Sequence, residues 1–126
     1  MDRFIVNGKN RLGGEISVHG AKNSALPVLA AAVTVGDECV ISNCPGLSDV
    51  RATTKILDSL GCRKKEEGRT ITVNSRPLSR NEISDSLMRE LRSSFIFMGA
   101  LLSKTGRAVM GTPGGCEIGV RPIDIH

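Results

Sequence analysis

One order of elements occurs twice in this chain and limits the folds that are open to it. A helix, a glycine, a strand and a Pro-Gly loop follow one another in residues 23–46 and again in residues 92–114. Val40 in the first copy corresponds to Val109 in the second. Repeats of this size indicate α/β units that bury their helices by stacking against each other. We therefore expect an α/β (α+β) fold with at least two such units.

The first half of the chain predicts a hairpin, a buried helix and a strand. Residues 4–6 are a short apolar run and residues 16–18 alternate apolar and polar side chains, and glycines lie between the two segments, which is typical of paired strands. Residues 25–34 are apolar on nearly all sides, so this helix should be buried. Asn23 or Ser24 could cap it, with Pro27 in its first turn. A strand should follow over residues 38–42.

The second half predicts two further helices and another hairpin. Ser48 or Asp49 should cap a helix that ends at Gly61, because apolar residues there recur at helical spacing. Residues 62–65 and 70–73 should pair as a hairpin with one solvated face. A longer helix and then a strand over residues 108–110 should follow. The apolar stripe on the inner side of that helix is predicted to be Leu87, Leu91, Phe95, Met98 and Leu102.

Composition excludes several classes of protein. The chain has 126 residues, of which 40% are hydrophobic and 24% charged, as expected for a globular domain. A net charge of +4 is modest, and only 2% of residues are aromatic, so there are few side chains on which nucleic-acid bases could stack. The longest apolar run, residues 25–33, is too short to cross a bilayer. We expect no nucleic-acid partner and no membrane insertion.

The four cysteines do not form a metal or disulfide pattern. No CxxC pair is present, so a zinc site or disulfide framework is not expected, and a reducing cytoplasm is the default location. Cys39, Cys44 and Cys62 fit the role of small buried apolar residues. Cys116 differs because it follows Pro-Gly-Gly in a glycine-rich segment, where the backbone can approach a ligand closely.

Three motifs identify a family. GAKNSALPVLAA (residues 20–31), LRSSFIFMGALL (91–102) and TPGGCEIGVRPIDIH (112–126) closely resemble the UDP-N-acetylglucosamine 1-carboxyvinyltransferases, which are enolpyruvyl transferases of bacterial peptidoglycan synthesis. The resemblance covers the whole chain. Because chains of that family are several times longer, it implies that this chain is an N-terminal fragment, and that the fragment alone is inactive.

The resemblance also implies a fold and a division into domains. Members stack βαβαββ-type units around buried helices in an inside-out α/β barrel, which would be incomplete here. Residues 1–21 would form a hairpin that packs with the missing C-terminal domain. Residues 22–126 would be a partial N-terminal domain, truncated in its second repeat unit. The substrate cleft would lie between the two domains.

Family membership would assign roles to residues near both ends of the chain. Lys22 and Asn23 stand at a helix N-terminus, which favours anions, and the resemblance implies that they bind phosphoenolpyruvate. Cys116 would be the catalytic proton donor, able to form a covalent adduct with that substrate and to react with the epoxide fosfomycin. A thiol with an ordinary pKa of about 8.5 is readily shifted by neighbouring cations.

The second substrate would be UDP-N-acetylglucosamine. The resemblance implies that Arg92 contacts it, with His126 as a further contact on the substrate side. A continuous segment would hold the uridine nucleotide, namely Arg121, Pro122, Ile123, Asp124 and Ile125. No metal or other cofactor is implied.

The implied reaction transfers the enolpyruvyl group to the sugar 3-hydroxyl and releases phosphate. It belongs to cell wall biogenesis, and so to cell shape, cell division and the cell cycle, in the bacterial cytoplasm. Two alternatives stay open. One is the sister class that makes enolpyruvyl-shikimate-phosphate, although that class lacks the cysteine loop. The other is a non-catalytic fragment that binds phosphate ligands.

Overall fold

A computed structural model describes residues 3–114 of the chain. The helices are α1 (Lys22–Val35), α2 (Ser48–Ser59), α3 (Asp85–Glu90), a 3-10 helix (Arg92–Phe95) and α4 (Ile96–Thr105). The strands are β1 (Glu38–Ile41), β2 (Arg63–Glu67), β3 (Thr70–Asn74), β4 (Glu82–Ile83) and β5 (Val109–Met110). The mixture of helices and strands confirms the predicted α/β class.

Helix α1 begins earlier than the sequence predicts. Its first residue is Lys22, its N-cap is Ala21, and no side chain caps it. The predicted caps Asn23 and Ser24 are therefore wrong, since both lie within the first turn. Pro27 is consequently in the second turn rather than the first. The prediction that this helix is buried is confirmed, because α1 packs against both α2 and α4.

A three-stranded antiparallel sheet covers this helical layer in the order β1-β3-β2. The predicted hairpin of β2 and β3 is confirmed. Ile71 and Val73 of β3 face the core, whereas Thr72 between them is only half-buried. Thr72 pairs with Val40 on one side and with Lys65 on the other. The sheet thus has one solvated face, as the alternation predicts.

Helix α2 confirms the predicted periodicity and corrects its start. The apolar positions are buried, among them Val50, Ile56 and Leu57. The N-cap is Leu47, so neither Ser48 nor Asp49 is the cap. At the other end, the Gly61 and Cys62 amides bond back to the Asp58 and Leu57 carbonyls, which is a Schellman motif.

The longer helix of the second half is not continuous. Leu91 is extended, with φ −143° and ψ 125°, and it separates α3 from the 3-10 helix that leads into α4. Ser94 is fully buried, and its hydroxyl bonds to the Met88 carbonyl across the break. Serine hydroxyls that bond to nearby backbone compete in this way with helical hydrogen bonds. The predicted stripe is partly wrong as a result, because Leu102 is exposed while Phe97 and Leu101 are buried.

The repeat is visible as two helix–glycine–strand segments. α1 and α4 pack side by side, and each ends on a left-handed glycine, Gly36 with φ 72° and Gly106 with φ 71°. Strand β5 confirms the predicted strand in part, and it pairs in parallel with β4. The sequence gives no sign of β4, because its two residues lie in a polar stretch. Parallel pairing across α3 and α4 makes this part a βαβ unit.

The predicted N-terminal hairpin is not formed. Residues 3–21 contain neither helix nor strand in the structure. Their apolar side chains are open to solvent, with Phe4 at 100% exposure and Leu12 at 97%. Elsewhere in the described part of the chain, no helix has the length and apolar character needed to cross a membrane.

Candidate functional site

A pocket of about 480 Å³ lies where the N-terminal ends of α1 and α2 meet the break after α3. Its apolar lining comes from α1 and from the segment that joins α3 to α4. Its polar lining is Lys22, Asn23, Asp49, Glu90, Arg92 and Ser93. Three residues that the sequence singles out, Lys22, Asn23 and Arg92, are therefore brought together, although about 70 residues separate the first from the last.

Lys22 is held by a residue from the next helix. Its ammonium nitrogen lies 2.7 Å from Oδ2 of Asp49, which is in the first turn of α2. The side chains are 43% and 31% exposed, so a ligand in the pocket can reach the pair. Sequence reasoning assigned Asp49 only a capping role. Its distance of 27 residues from Lys22 gave no sign of the contact.

The break at Leu91 places Arg92 in the pocket wall. Because Leu91 is extended and 4% exposed, its side chain enters the core and Arg92 begins a new helical turn. Glu90, on the other side of the break, pairs with Lys55 of α2 at 2.8 Å. The pocket thus contains the cationic side chains of Lys22 and Arg92 and the carboxylates of Asp49 and Glu90. Glu90 forms an ion pair with Lys55, which is not a lining residue.

Ser93 adds a hydroxyl to this wall. Its Oγ atom is buried, and no group in residues 3–114 forms a hydrogen bond with it. Buried polar atoms are nearly always hydrogen-bonded, so the Ser93 hydroxyl is a candidate contact for a ligand in the pocket.

Pro27 removes one backbone hydrogen bond of α1 next to the pocket. In a regular α-helix the amide of residue 27 would donate to the carbonyl of Asn23, but proline has no N–H. Both residues line the pocket. The Asn23 side chain offers a donor and an acceptor at the pocket wall.

The segment that leads to the cysteine loop is anchored on α3. The Gly114 amide donates to the Met88 carbonyl at 2.9 Å. A Cβ atom at Gly114 would overlap the backbone of Arg89, so only glycine permits this approach. Seven predicted site residues lie outside the described residues: Cys116, Arg121, Pro122, Ile123, Asp124, Ile125 and His126.

The other three cysteines have surroundings that suit packing. Cys44 and Cys62 are buried, and Cys39 is half-buried, which agrees with the predicted structural role. Burial raises the pKa of the Cys62 thiol to about 11, with a smaller contribution from the Asp58 carboxylate. Burial also raises the pKa of the Cys44 thiol. Neither is suited to act as a nucleophile near neutral pH.

The architecture is that of an α/β protein with a pocket of mixed charge at the N-terminal ends of two helices. The family model for EPSP synthase (3-phosphoshikimate 1-carboxyvinyltransferase) matches residues 6–126. The chain therefore belongs to this family. Its fold is also similar to a solved structure, that of the enolpyruvyl transferase NikO from Streptomyces tendae. The two agree with a TM-score of 0.72 and 30% identity over 80% of this chain and 24% of that one.

Curated relatives carry a more specific name. UDP-N-acetylglucosamine 1-carboxyvinyltransferase 2 from Caldanaerobacter subterraneus is 49% identical over the whole of this chain. The corresponding enzyme 1 from Symbiobacterium thermophilum is 45% identical over 99% of it, and that from Methylacidiphilum infernorum is 43% identical over all of it. The chain spans about 30% of the length of each of these relatives.

Proposed function

We propose that the protein containing this chain transfers the enolpyruvyl group of phosphoenolpyruvate to the 3-hydroxyl of UDP-N-acetylglucosamine and releases phosphate. The observation that carries the proposal is the convergence of Lys22, Asn23 and Arg92 on one pocket. The names of relatives that are 38–49% identical over essentially the full chain support it. The reaction would serve peptidoglycan synthesis in the bacterial cytoplasm.

Lys22 and Asn23 would bind phosphoenolpyruvate, with the Lys22 ammonium against an anionic group of that substrate. A cation at a helix N-terminus favours a phosphate or carboxylate, because the backbone amides and the helix dipole act in the same direction. Arg92, from the opposite wall, would contact the sugar nucleotide. Arg121 to Ile125 would hold the nucleotide, with His126 beside it.

Cys116 would donate its proton to the methylene carbon of phosphoenolpyruvate. The neighbouring carbon then becomes electrophilic, and the sugar hydroxyl attacks it to give a tetrahedral intermediate. Loss of phosphate from one carbon and of a proton from the other restores the double bond in the product. Cations around the intermediate stabilise its negative charge. A C-terminal domain beyond this chain would supply the base that takes the hydroxyl proton.

The test uses the full-length protein with both substrates and measures phosphate release and product mass. We expect the enolpyruvyl ether of the sugar nucleotide. Cys116→Ser should lower kcat by about 10²-fold or more, the usual contribution of a general acid, while sugar-nucleotide binding is retained. Cys39→Ser, at a half-buried strand position, is the matched control and should keep full activity. Fosfomycin should label Cys116, and labelling of another cysteine would contradict the assignment.

A second candidate follows from the description of the matching family model. That model is named for 3-phosphoshikimate 1-carboxyvinyltransferase, which shares the reaction type but uses another acceptor. The same assay, run with shikimate 3-phosphate in place of the sugar nucleotide, separates the two. Turnover with that acceptor alone would establish the second candidate and exclude the first.

A further inference from the structure

The ion pair between Lys22 and Asp49 joins the first turns of two helices at the pocket. The two residues are far apart in the chain, and their charged atoms are 2.7 Å apart. Ion pairs this exposed contribute little to the stability of a fold. The contact therefore needs an explanation other than holding α1 and α2 together, which their buried apolar faces already do.

The two partners differ in how firmly they are held. Asp49 has a short side chain on the first turn of α2, where a carboxylate is favoured by the helix dipole. Its backbone carbonyl accepts a hydrogen bond from the Thr53 hydroxyl, and its Oδ1 atom lies 3.4 Å from the Ser48 hydroxyl. Lys22 has a flexible four-carbon stem, and ordering such a side chain has a substantial entropic cost. Asp49 is thus the anchor, and Lys22 is the group that it orders.

We infer that Asp49 is a positioning residue, which holds the Lys22 ammonium over the pocket before an anionic substrate arrives. This inference rests on the proposed function of the pocket. A lysine ordered in advance spends less conformational entropy when the substrate binds. The lysine has three donor hydrogens, so one can stay on Asp49 while the others bind the anion. Glu90, the other carboxylate of the pocket, pairs with Lys55 instead.

The experiment compares variants of the full-length enzyme by steady-state kinetics, with phosphoenolpyruvate as the varied substrate. Asp49→Ala removes the acceptor, and we expect kcat/KM for phosphoenolpyruvate to fall about tenfold, within the range of couplings between residues in contact. The KM for UDP-N-acetylglucosamine should change by less than about twofold, since additive behaviour is usual for groups that share no partner. Asp49→Asn keeps an oxygen that accepts a hydrogen bond from Lys22, so it should recover most of the loss.

Asp37→Ala is the matched control. Asp37 and Arg76 form an exposed ion pair with a distance of 2.9 Å between their charged atoms, and neither residue lines the pocket. It should leave all kinetic constants unchanged. If Asp49→Ala does not fold, Asp49→Glu is used instead. The longer side chain keeps the negative charge but shifts the position of the Lys22 ammonium. Wild-type kinetics in Asp49→Ala, or equal losses in the alanine and asparagine variants, would overturn the inference. An inactive wild-type enzyme would instead reject the proposed function.

Discussion

Burial assigns Cys44 and Cys62 to the packed interior of the described residues. Cys62 is 6% exposed and follows the Schellman turn at the end of α2, with Asp58 nearby. Both burial and the carboxylate disfavour a thiolate, and together they raise the pKa of Cys62 to about 11. A group with this environment stays protonated wherever the enzyme works, so its role is confined to packing.

This environment predicts a pH dependence that can be measured. At pH 9 about 1% of Cys62 should be thiolate in the folded protein, against more than half in an unfolded chain with a pKa of about 8.5. Alkylation by iodoacetamide, followed by peptide mass spectrometry, should be roughly 75-fold slower at Cys62 in native than in denatured protein, because the thiolate is the reacting form. The folded state keeps a proton that the unfolded state loses, so stability should fall as the pH rises from about 9 to 11.

Cys62→Ala serves as the control for the stability measurement. The free energy of unfolding of this variant, measured in urea, should fall less steeply with pH in that window than that of the wild-type protein. The two slopes should differ by at most about 1.4 kcal/mol per pH unit. Rapid native alkylation of Cys62 at pH 9 would contradict the prediction.

The candidate site was predictable from the sequence only in part. Lys22 and Asn23 are recognisable because a cation and an amide precede a long apolar helix. Arg92 is recognisable only through the family resemblance. Asp49 was assigned as a helix cap, because its contact with Lys22 depends on how α1 and α2 pack. No local pattern encodes a contact between helices separated by a whole strand.

At the level of elements, the sequence predicts well those helices and strands whose apolar residues recur at regular spacing. α1, α2 and the hairpin of β2 and β3 appear at the expected places. The break at Leu91 was missed because residues 87–102 keep apolar side chains near helical spacing on both sides of it. The break is bridged by the hydrogen bond from the buried Ser94 hydroxyl to the Met88 carbonyl, which the apolar spacing does not reveal.

The contact between Gly114, which follows β5, and the backbone of α3 can be tested by a substitution. Gly114→Ala should detach the segment from α3, because the added Cβ atom meets Arg89 backbone that cannot move aside. In the full-length enzyme we expect kcat to fall about tenfold or more, since small misplacements of a catalytic group have large effects on rate. Steady-state kinetics with both substrates provides the measurement.

Gly46→Ala is the matched control for that substitution. Gly46 occupies the corresponding Pro-Gly loop of the first repeat, and a Cβ atom there meets nothing within 4 Å. Its activity should be unchanged. Equal activity of the Gly114 and Gly46 variants would show that the anchor on α3 has no effect on catalysis.

For the molecule as a whole, the N-terminal segment is the least expected feature. Phe4, Leu12 and Ile16 are at least 90% exposed. Residues 4–6 and 16–18 have the apolar character of strands, but they have no strand partner among residues 3–114. We propose that the remaining two thirds of a full-length protein, as its relatives have, provides that partner.

A single substitution tests this proposal. In the full-length protein Phe4→Ser should lower Tm by several degrees, because burying such a side chain contributes about 2 kcal/mol. Thermal unfolding followed by circular dichroism is the measurement. Lys9→Ser, at a polar position of the same segment, is the control and should leave Tm unchanged. A Phe4→Ser protein as stable as the control would show that the segment stays exposed in the complete enzyme.

The hydrogen bond from the Gly114 amide to the Met88 carbonyl has a consequence for observing the enzyme at work. An amide bonded into the body of the protein exchanges with deuterium slowly, and it exchanges quickly once the bond opens. Gly114 is two residues before Cys116, so its exchange rate reports how often the chain just before Cys116 separates from α3. Mass spectrometry of the peptide that contains Gly114 would therefore report the opening of this anchor in the unmodified enzyme, without a spectroscopic label.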